Sequence, residues 1–146
     1  MFRRHPVIAP ITIAYLAAVA WVTLTPGNVG QKDTAVFWLY VHIQRYAGSS
    51  SVLAHWATYP HLEFTLNVVL FLPIGLFPVL LLGWRRWWVG LALSIASTGA
   101  IEFVQRYIPG RVSDIRDVAS NSLGGAIGVV IGIGFALAAS KRLRRH

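Results

Sequence analysis

The chain of 146 residues is 55% apolar and only 12% charged, and it contains no cysteine. Soluble domains usually carry about 25% charged residues, so this composition excludes a soluble domain and predicts an integral membrane protein. The lack of cysteine excludes disulfides, iron–sulfur clusters and a cysteine nucleophile. The net charge of +8 lies beside long apolar runs, so we expect membrane lipids as partners and no nucleic acid.

Four apolar segments have the length of membrane spans, which is roughly 17 to 25 residues. They cover residues 7–25, 64–83, 87–104 and 118–140. The first segment, with Arg3 and Arg4 before it and Ala18-Val19-Ala20 inside it, also fits a secretory signal peptide. Because it is long enough to span, we expect a membrane helix. The sequence therefore predicts one membrane domain over residues 1–146, an all-α four-helix transmembrane bundle.

Residues 34–47 (TAVFWLYVHIQRYA) are apolar enough for a helix but too short to cross a membrane. Their aromatic side chains favour the headgroup level of the bilayer. We expect an interfacial or re-entrant helix in the first external loop. A fifth span, formed by joining this segment to residues 52–59, is the alternative.

The basic residues predict the orientation of the spans. If the N-terminus is cytoplasmic, the cytoplasmic side receives eight positive residues and no acid: Arg3, Arg4, Arg85, Arg86, Lys141, Arg142, Arg144 and Arg145. The opposite side receives five basic and five acidic residues. Positive residues accumulate in cytoplasmic loops, so we expect both termini in the cytoplasm.

The third predicted span ends in a polar face. Glu102, Gln105 and Arg106 are spaced so that they share one side of a helical turn. Glu102 is then either an intrahelical partner of Arg106 or a buried carboxylate facing the bundle. Ionisable groups inside spans are functional candidates because their insertion is costly.

The segment before the fourth span contains both acids and arginines. Either Ser113 or Asp114 is suited to cap the helix, and Asp117 lies in the first turn, where negative charge is favourable. Capping does not explain Arg111 and Arg116. These cations need an anion, which is either a neighbouring carboxylate or a phosphate.

Amides and glycines continue these polar faces into the spans. Asn121 lies one turn below Asp117, and Gly124, Gly128 and Gly132 allow another backbone to approach closely. Asn67 lies one turn below Glu63, ahead of Pro73, which frees a carbonyl at the level of Val69. Asn67 is also interpretable as a structural clasp to Asn121 or Gln105. We expect one polar pocket at the external face, built from Glu63, Asn67, Glu102, Gln105, Arg111, Asp114, Asp117 and Asn121.

These motifs, in this order, resemble the VanZ-like family. The resemblance runs from about Asn67 to Gly128 and rests on the following residues: Asn67, Phe71, Pro73, Gly75, Glu102, Gln105, Arg111, Asp114, Asp117, Val118, Asn121, Gly124, Gly125 and Gly128. It implies a small multi-spanning protein of the bacterial cytoplasmic membrane. The founding member of the family is associated with resistance to the glycopeptide teicoplanin.

Three functions compete at this point. The first is action on, or binding of, a lipid-linked or phosphate-bearing envelope component, whether or not a reaction is catalysed. Glu102, Asp117 and Asp114 would then be catalytic, and the substrate would be bound by Arg111, Arg116, Asn67, Gln105 and Asn121. We expect no cofactor and no metal centre, because the five histidines are scattered. The second is a non-catalytic scaffold that docks envelope machinery, and the third is a small transporter.

Overall fold

The computed structural model describes residues 7–24, 31–47, 51–108 and 114–143, and these ranges are almost entirely helical. The helices are α1 (Ile8–Leu24), α2 (Gln31–Ala47), α3 (Val52–Trp56), α4 (Tyr59–Leu82), α5 (Trp87–Gln105) and α6 (Ile115–Leu143). A 3-10 turn, Trp84–Arg86, joins α4 to α5. The prediction of an all-helical protein is confirmed for these residues.

Three of the helical segments are long and apolar enough to cross a membrane: Tyr59–Leu82, Trp84–Gln105 and Ile115–Ser140. They correspond to the predicted spans 64–83, 87–104 and 118–140. The helix at the first predicted span, Ile8–Leu24, is apolar but shorter, with 17 residues. The composition and helix lengths therefore support a membrane protein.

The ends of α4 follow from local sequence. Its first turn contains Pro60, which is favourable there because the missing N–H would have no helical partner. Its C-terminus is closed by Gly83, whose φ of 86° is accessible to glycine without strain and whose N–H donates to Val79. This cap turns the chain directly into the Trp84–Arg86 turn and α5.

Helices α4 and α6 run parallel and are in backbone contact. A Cβ added to Gly124 would overlap the carbonyl oxygen of Val68, and one added to Gly128 would overlap that of Leu72. The approach extends to Gly132, where an added Cβ would lie 2.9 Å from the Cβ of Val79. The predicted role of these glycines in close helix packing is confirmed.

Helix α5 runs antiparallel to this pair. A Cβ on Gly90 would come within 2.6 Å of the carbonyl oxygen of Gly75, and a Cβ on Gly125 would overlap the side chain of Ser94. The buried core between α1, α4 and α5 contains Val19, Phe71, Ile74 and Ile101. The Tyr15 hydroxyl donates to the Leu70 carbonyl at 2.5 Å. Leu70 directly follows Val69, whose carbonyl was predicted to be left without a helical partner by Pro73.

The helix predicted over residues 34–47 is present as α2. Val36 is buried, whereas Phe37, Trp38 and Tyr46 are exposed. Because α3 ends at Trp56 and α4 already begins at Tyr59, residues 52–59 do not form one helix with α2. The alternative of a fifth continuous span is thus not seen in the described residues.

Candidate functional site

The N-terminus of α6 is fixed to the C-terminal turn of α5. The carboxylate of Asp114 caps α6, since its Oδ1 accepts the backbone N–H of Arg116 at 2.8 Å. The backbone N–H of Asp114 in turn donates to Oε2 of Glu102 at 3.1 Å. Asp114, one of the two candidate caps, is therefore the cap of α6, and its N–H also positions the one carboxylate that lies inside α5.

Glu102 faces the interior and not the lipid. Its side chain is only 5% exposed, and no ion pair joins it to Arg106, whose side chain is exposed, within the described residues. The intrahelical pair is thus not formed. Burial of a carboxylate costs free energy unless hydrogen bonds compensate for the lost water, and the Asp114 N–H supplies one such bond.

A side-chain hydrogen bond joins α4 to α6. Nδ2 of Asn67 donates to Oδ1 of Asp117 at 2.7 Å. Asn67 is 4% exposed, so its amide is buried between α4 and α6. The structural clasp predicted for Asn67 is present, but its predicted partners, Asn121 and Gln105, were wrong. The parallel arrangement of α4 and α6 brings Asp117 to it instead.

Asn121 connects α6 to α5 one turn deeper. Its Nδ2 donates to the Thr98 hydroxyl at 3.0 Å. Its Oδ1 is buried and has no hydrogen-bond partner in the part of the chain that the structure describes. Buried polar atoms are nearly always satisfied, so this oxygen is an acceptor available to a water or a ligand group.

Gln105 makes its contact on another side of α5. Its Nε2 donates to the backbone carbonyl of Thr23 at 3.0 Å, in the last turn of α1. The predicted site residue Gln105 thus binds α1 in this structure, whereas Glu102, Asp117, Asn67 and Asn121 connect α4, α5 and α6. We call these last four residues, together with Asp114, the polar cluster.

A small cleft opens beside the polar cluster. It has a volume of about 20 Å³, room for about one water molecule, and its lining residues are Pro60, Glu63, Phe64, Asp114, Arg116 and Asp117. Three of these side chains are carboxylates and one is a guanidinium. The exposed Arg116 belongs to the first turn of α6, where N–H groups and the helix dipole favour an anion. Arg111, the other predicted phosphate ligand, lies outside the described residues.

The arrangement has limited capacity for a metal ion. Among the described residues, no group of three or more His, Cys, Asp or Glu side chains is placed to hold one. Oδ1 of Asp114, one of the carboxylates that line the cleft, already accepts the backbone N–H of Arg116. Among the described residues, the cleft combines carboxylates, which accept hydrogen bonds, with the guanidinium of Arg116.

Sequence reasoning missed Thr98 and Thr23. Thr98 is fully buried and accepts the Asn121 amide, and the Thr23 carbonyl accepts Gln105. A signal for Thr98 was present, because Ser94, Thr98 and Glu102 recur every four residues and so share one face of α5. No comparable pattern marks Thr23, whose role depends on a backbone carbonyl.

The fold and the site can be compared with known proteins. The model of the VanZ/LLP1 family matches residues 12–137. Neither a curated protein nor a solved structure matches the chain. The matched range includes α2 to α5, most of α1 and α6, and all residues of the polar cluster.

Proposed function

The chain belongs to the VanZ/LLP1 family, and on that premise we propose that it binds a phosphate-bearing, lipid-linked component of the bacterial cell envelope. The membership also supports a role in resistance to glycopeptide antibiotics such as teicoplanin. The observation that carries the binding proposal is the convergence of charged and amide side chains from α4, α5 and α6 at one end of the helices. The charged side chains and the cleft distinguish this end of the bundle from a contact between helices that is made only by apolar side chains.

In this proposal, four helices cross the cytoplasmic membrane and both termini are cytoplasmic. Support comes from α1, which packs against α4 and α5. Its 17 residues rise about 26 Å, close to the ~30 Å of hydrocarbon. The turn with Arg85 and Arg86 lies at the end opposite to the polar cluster, and positive loops favour the cytoplasm. The polar cluster then faces the outside, and α2 lies at the external surface.

Each residue has a distinct task in the binding of a phosphate. Arg116, together with Arg111, contacts phosphate oxygens, for which guanidinium groups are well suited. Glu102 is the desolvated carboxylate that exchanges a proton with the ligand, and Asp117, held by Asn67, accepts hydrogen bonds from it. Asp114 positions Glu102 through its N–H, so we assign it a positioning role. Asn121 supplies its buried oxygen as a further acceptor.

Mass spectrometry of co-purified lipids tests this proposal. We expect wild-type protein to retain phosphate-bearing isoprenoid or lipid-linked species, and Arg116→Gln to lose most of them. Arg106→Gln is the matched control, because Arg106 is also exposed at this end of the helices but does not line the cleft. Equal recovery of these lipids from the two variants would contradict the proposal.

A scaffold that docks envelope machinery is the second candidate. It is favoured by the observation that the Asn67, Gln105 and Asn121 amides all bond to a neighbouring helix. The replacements Glu102→Gln and Asp117→Asn distinguish the two candidates, since both preserve the shape of the side chain and one acceptor oxygen for the bonds from the Asp114 N–H and the Asn67 amide. If the variants remain folded and abundant while teicoplanin resistance is lost, scaffolding alone is insufficient. If resistance is retained, the carboxylate chemistry is unnecessary and the scaffold is favoured.

The transporter hypothesis finds no support in the geometry. A coupled transporter places ionisable groups near the middle of the membrane. The carboxylates of α4 to α6 instead lie near helix ends: Glu63 and Glu102 within five residues of a helix end, Asp114 at the cap and Asp117 in the first turn.

A further inference from the structure

An apolar groove lies between α1, α4 and α5, toward the end opposite to the polar cluster. It has a volume of about 170 Å³, and its walls include Leu16, Phe77, Leu82 and Leu93. Thr12 also lines it, but its hydroxyl already donates to the Ile8 carbonyl at 2.7 Å. Ser97 is the second polar residue of the lining, and the other seven lining residues are apolar, so the surface of the groove is mainly apolar.

The size of the groove matches part of a hydrocarbon chain. An apolar cavity of about 150 Å³ holds a benzene molecule, so this groove holds about six or seven carbon atoms. All three walls are apolar helices, two of them of membrane-spanning length. The surrounding bilayer supplies acyl chains at this depth.

Charge identifies which lipid suits the groove. Leu82, at one end of the groove, is followed within four residues by Arg85 and Arg86, and both of these side chains are exposed. The sequence contains no carboxylate between Glu63 and Glu102, so no acid on this stretch neutralises them. Arg85 lies over the Trp84 ring, 5.7 Å from its centroid, beside the exposed Trp87 and Trp88. Such an aromatic and basic rim is typical of the headgroup level.

We propose that this groove binds one anionic phospholipid of the surrounding bilayer. Part of one acyl chain lies between α1, α4 and α5, and the phosphate contacts Arg85 and Arg86. Basic residues near a membrane surface each favour an anionic lipid by a factor of roughly five. This site is separate from the polar cluster and does not depend on the function proposed for it.

Electron paramagnetic resonance of spin-labelled lipids tests the proposal. The full chain is reconstituted in phosphatidylcholine vesicles, and chain-labelled phosphatidylglycerol is compared with chain-labelled phosphatidylcholine. We expect a motionally restricted component that prefers phosphatidylglycerol, and we expect Arg85→Gln and Arg86→Gln each to reduce this preference by roughly fivefold. Arg106→Gln, at the opposite end of α5, leaves the preference unchanged.

A second pair of variants tests the groove itself. Ser97 lines it, so Ser97→Leu fills the space for the acyl chain and reduces the restricted component for both lipids. Ala96→Leu adds the same side chain one residue away, at an exposed position outside the groove, and has no such effect. The proposal is overturned if phosphatidylglycerol and phosphatidylcholine are restricted equally by the wild type. It is also overturned if Arg106→Gln acts like Arg86→Gln, or if Ser97→Leu acts like Ala96→Leu.

Discussion

Replacement of Gly128 by alanine is expected to destabilise the contact between α4 and α6. The added Cβ would overlap the carbonyl oxygen of Leu72 and lie 3.0 Å from the backbone nitrogen of Leu76. Both are backbone atoms, so no side chain can rotate away and the two helices must separate. Overpacking of this kind costs about 1–3 kcal/mol.

The intrinsic preference of alanine for helix opposes this cost. Alanine is favoured over glycine within helices by about 1 kcal/mol. Gly134 provides the matched control, because it lies on the same helix and a Cβ there would meet no atom within 4 Å. The gain from helix preference is common to both variants. The difference between Gly128→Ala and Gly134→Ala therefore isolates the steric cost, about 1–3 kcal/mol.

Unfolding in mixed micelles of dodecyl maltoside and sodium dodecyl sulfate, followed by far-ultraviolet circular dichroism, measures this difference. We expect Gly134→Ala to be at least as stable as the wild type and Gly128→Ala to unfold at a lower fraction of dodecyl sulfate. Equal free energies of unfolding for the two variants would refute the inference that backbone contact holds α4 against α6.

Three further predictions follow from side-chain contacts and from the proposed orientation. Thr98→Val removes the acceptor of the buried Asn121 amide and is expected to lower the free energy of unfolding by about 1–3 kcal/mol. Thr98→Ser keeps the hydroxyl and is expected to keep much of the stability. Similar losses for both variants would attribute the effect to the methyl group and not to the hydrogen bond. Tyr15→Phe removes only the hydroxyl that donates to Leu70, with an expected loss of about 0.5–1.5 kcal/mol in the same unfolding assay. Because the chain has no cysteine, single cysteines at Tyr107 and Trp84 report sidedness directly: a membrane-impermeant maleimide should label Tyr107→Cys in intact spheroplasts and Trp84→Cys only after permeabilisation. Labelling of both in one compartment would contradict the orientation.

The helices were largely predictable because hydropathy and length determine spans. The predicted span 87–104 agrees with α5 to within one residue at its end. The start of α4 was placed at residue 64, five residues late, because His61 and Glu63 lower the local hydropathy. Pro60 in the first turn favours a helix start there, and the length of an apolar segment does not report that feature.

The contacts of the polar cluster were less predictable. The sequence shows which residues share a helix face, so the inward placement of Asn121 followed from spacing. Residue type narrowed the cap of α6 to Ser113 or Asp114, and the structure identifies Asp114. The partner of Asn67 depends on the relative shift of α4 and α6, which no local pattern reports. Gln105 was assigned to the site because it shares a helical turn with Glu102. It bonds instead to α1, since a small angular difference around a helix brings a side chain to a different neighbour.

The parallel pairing of α4 and α6 has a consequence for biosynthesis. The two helices are separated in the chain by the whole of α5, so α4 of a nascent polypeptide reaches the membrane before the glycine-rich helix α6 has left the ribosome. Until Asp117 arrives, the Asn67 amide lacks its carboxylate, and the backbone carbonyls of Val68 and Leu72 lack the helix that covers them. Helix α6 thus completes the contacts of α4, and a chain arrested after α5 leaves the Asn67 amide and these carbonyls without their partners in α6.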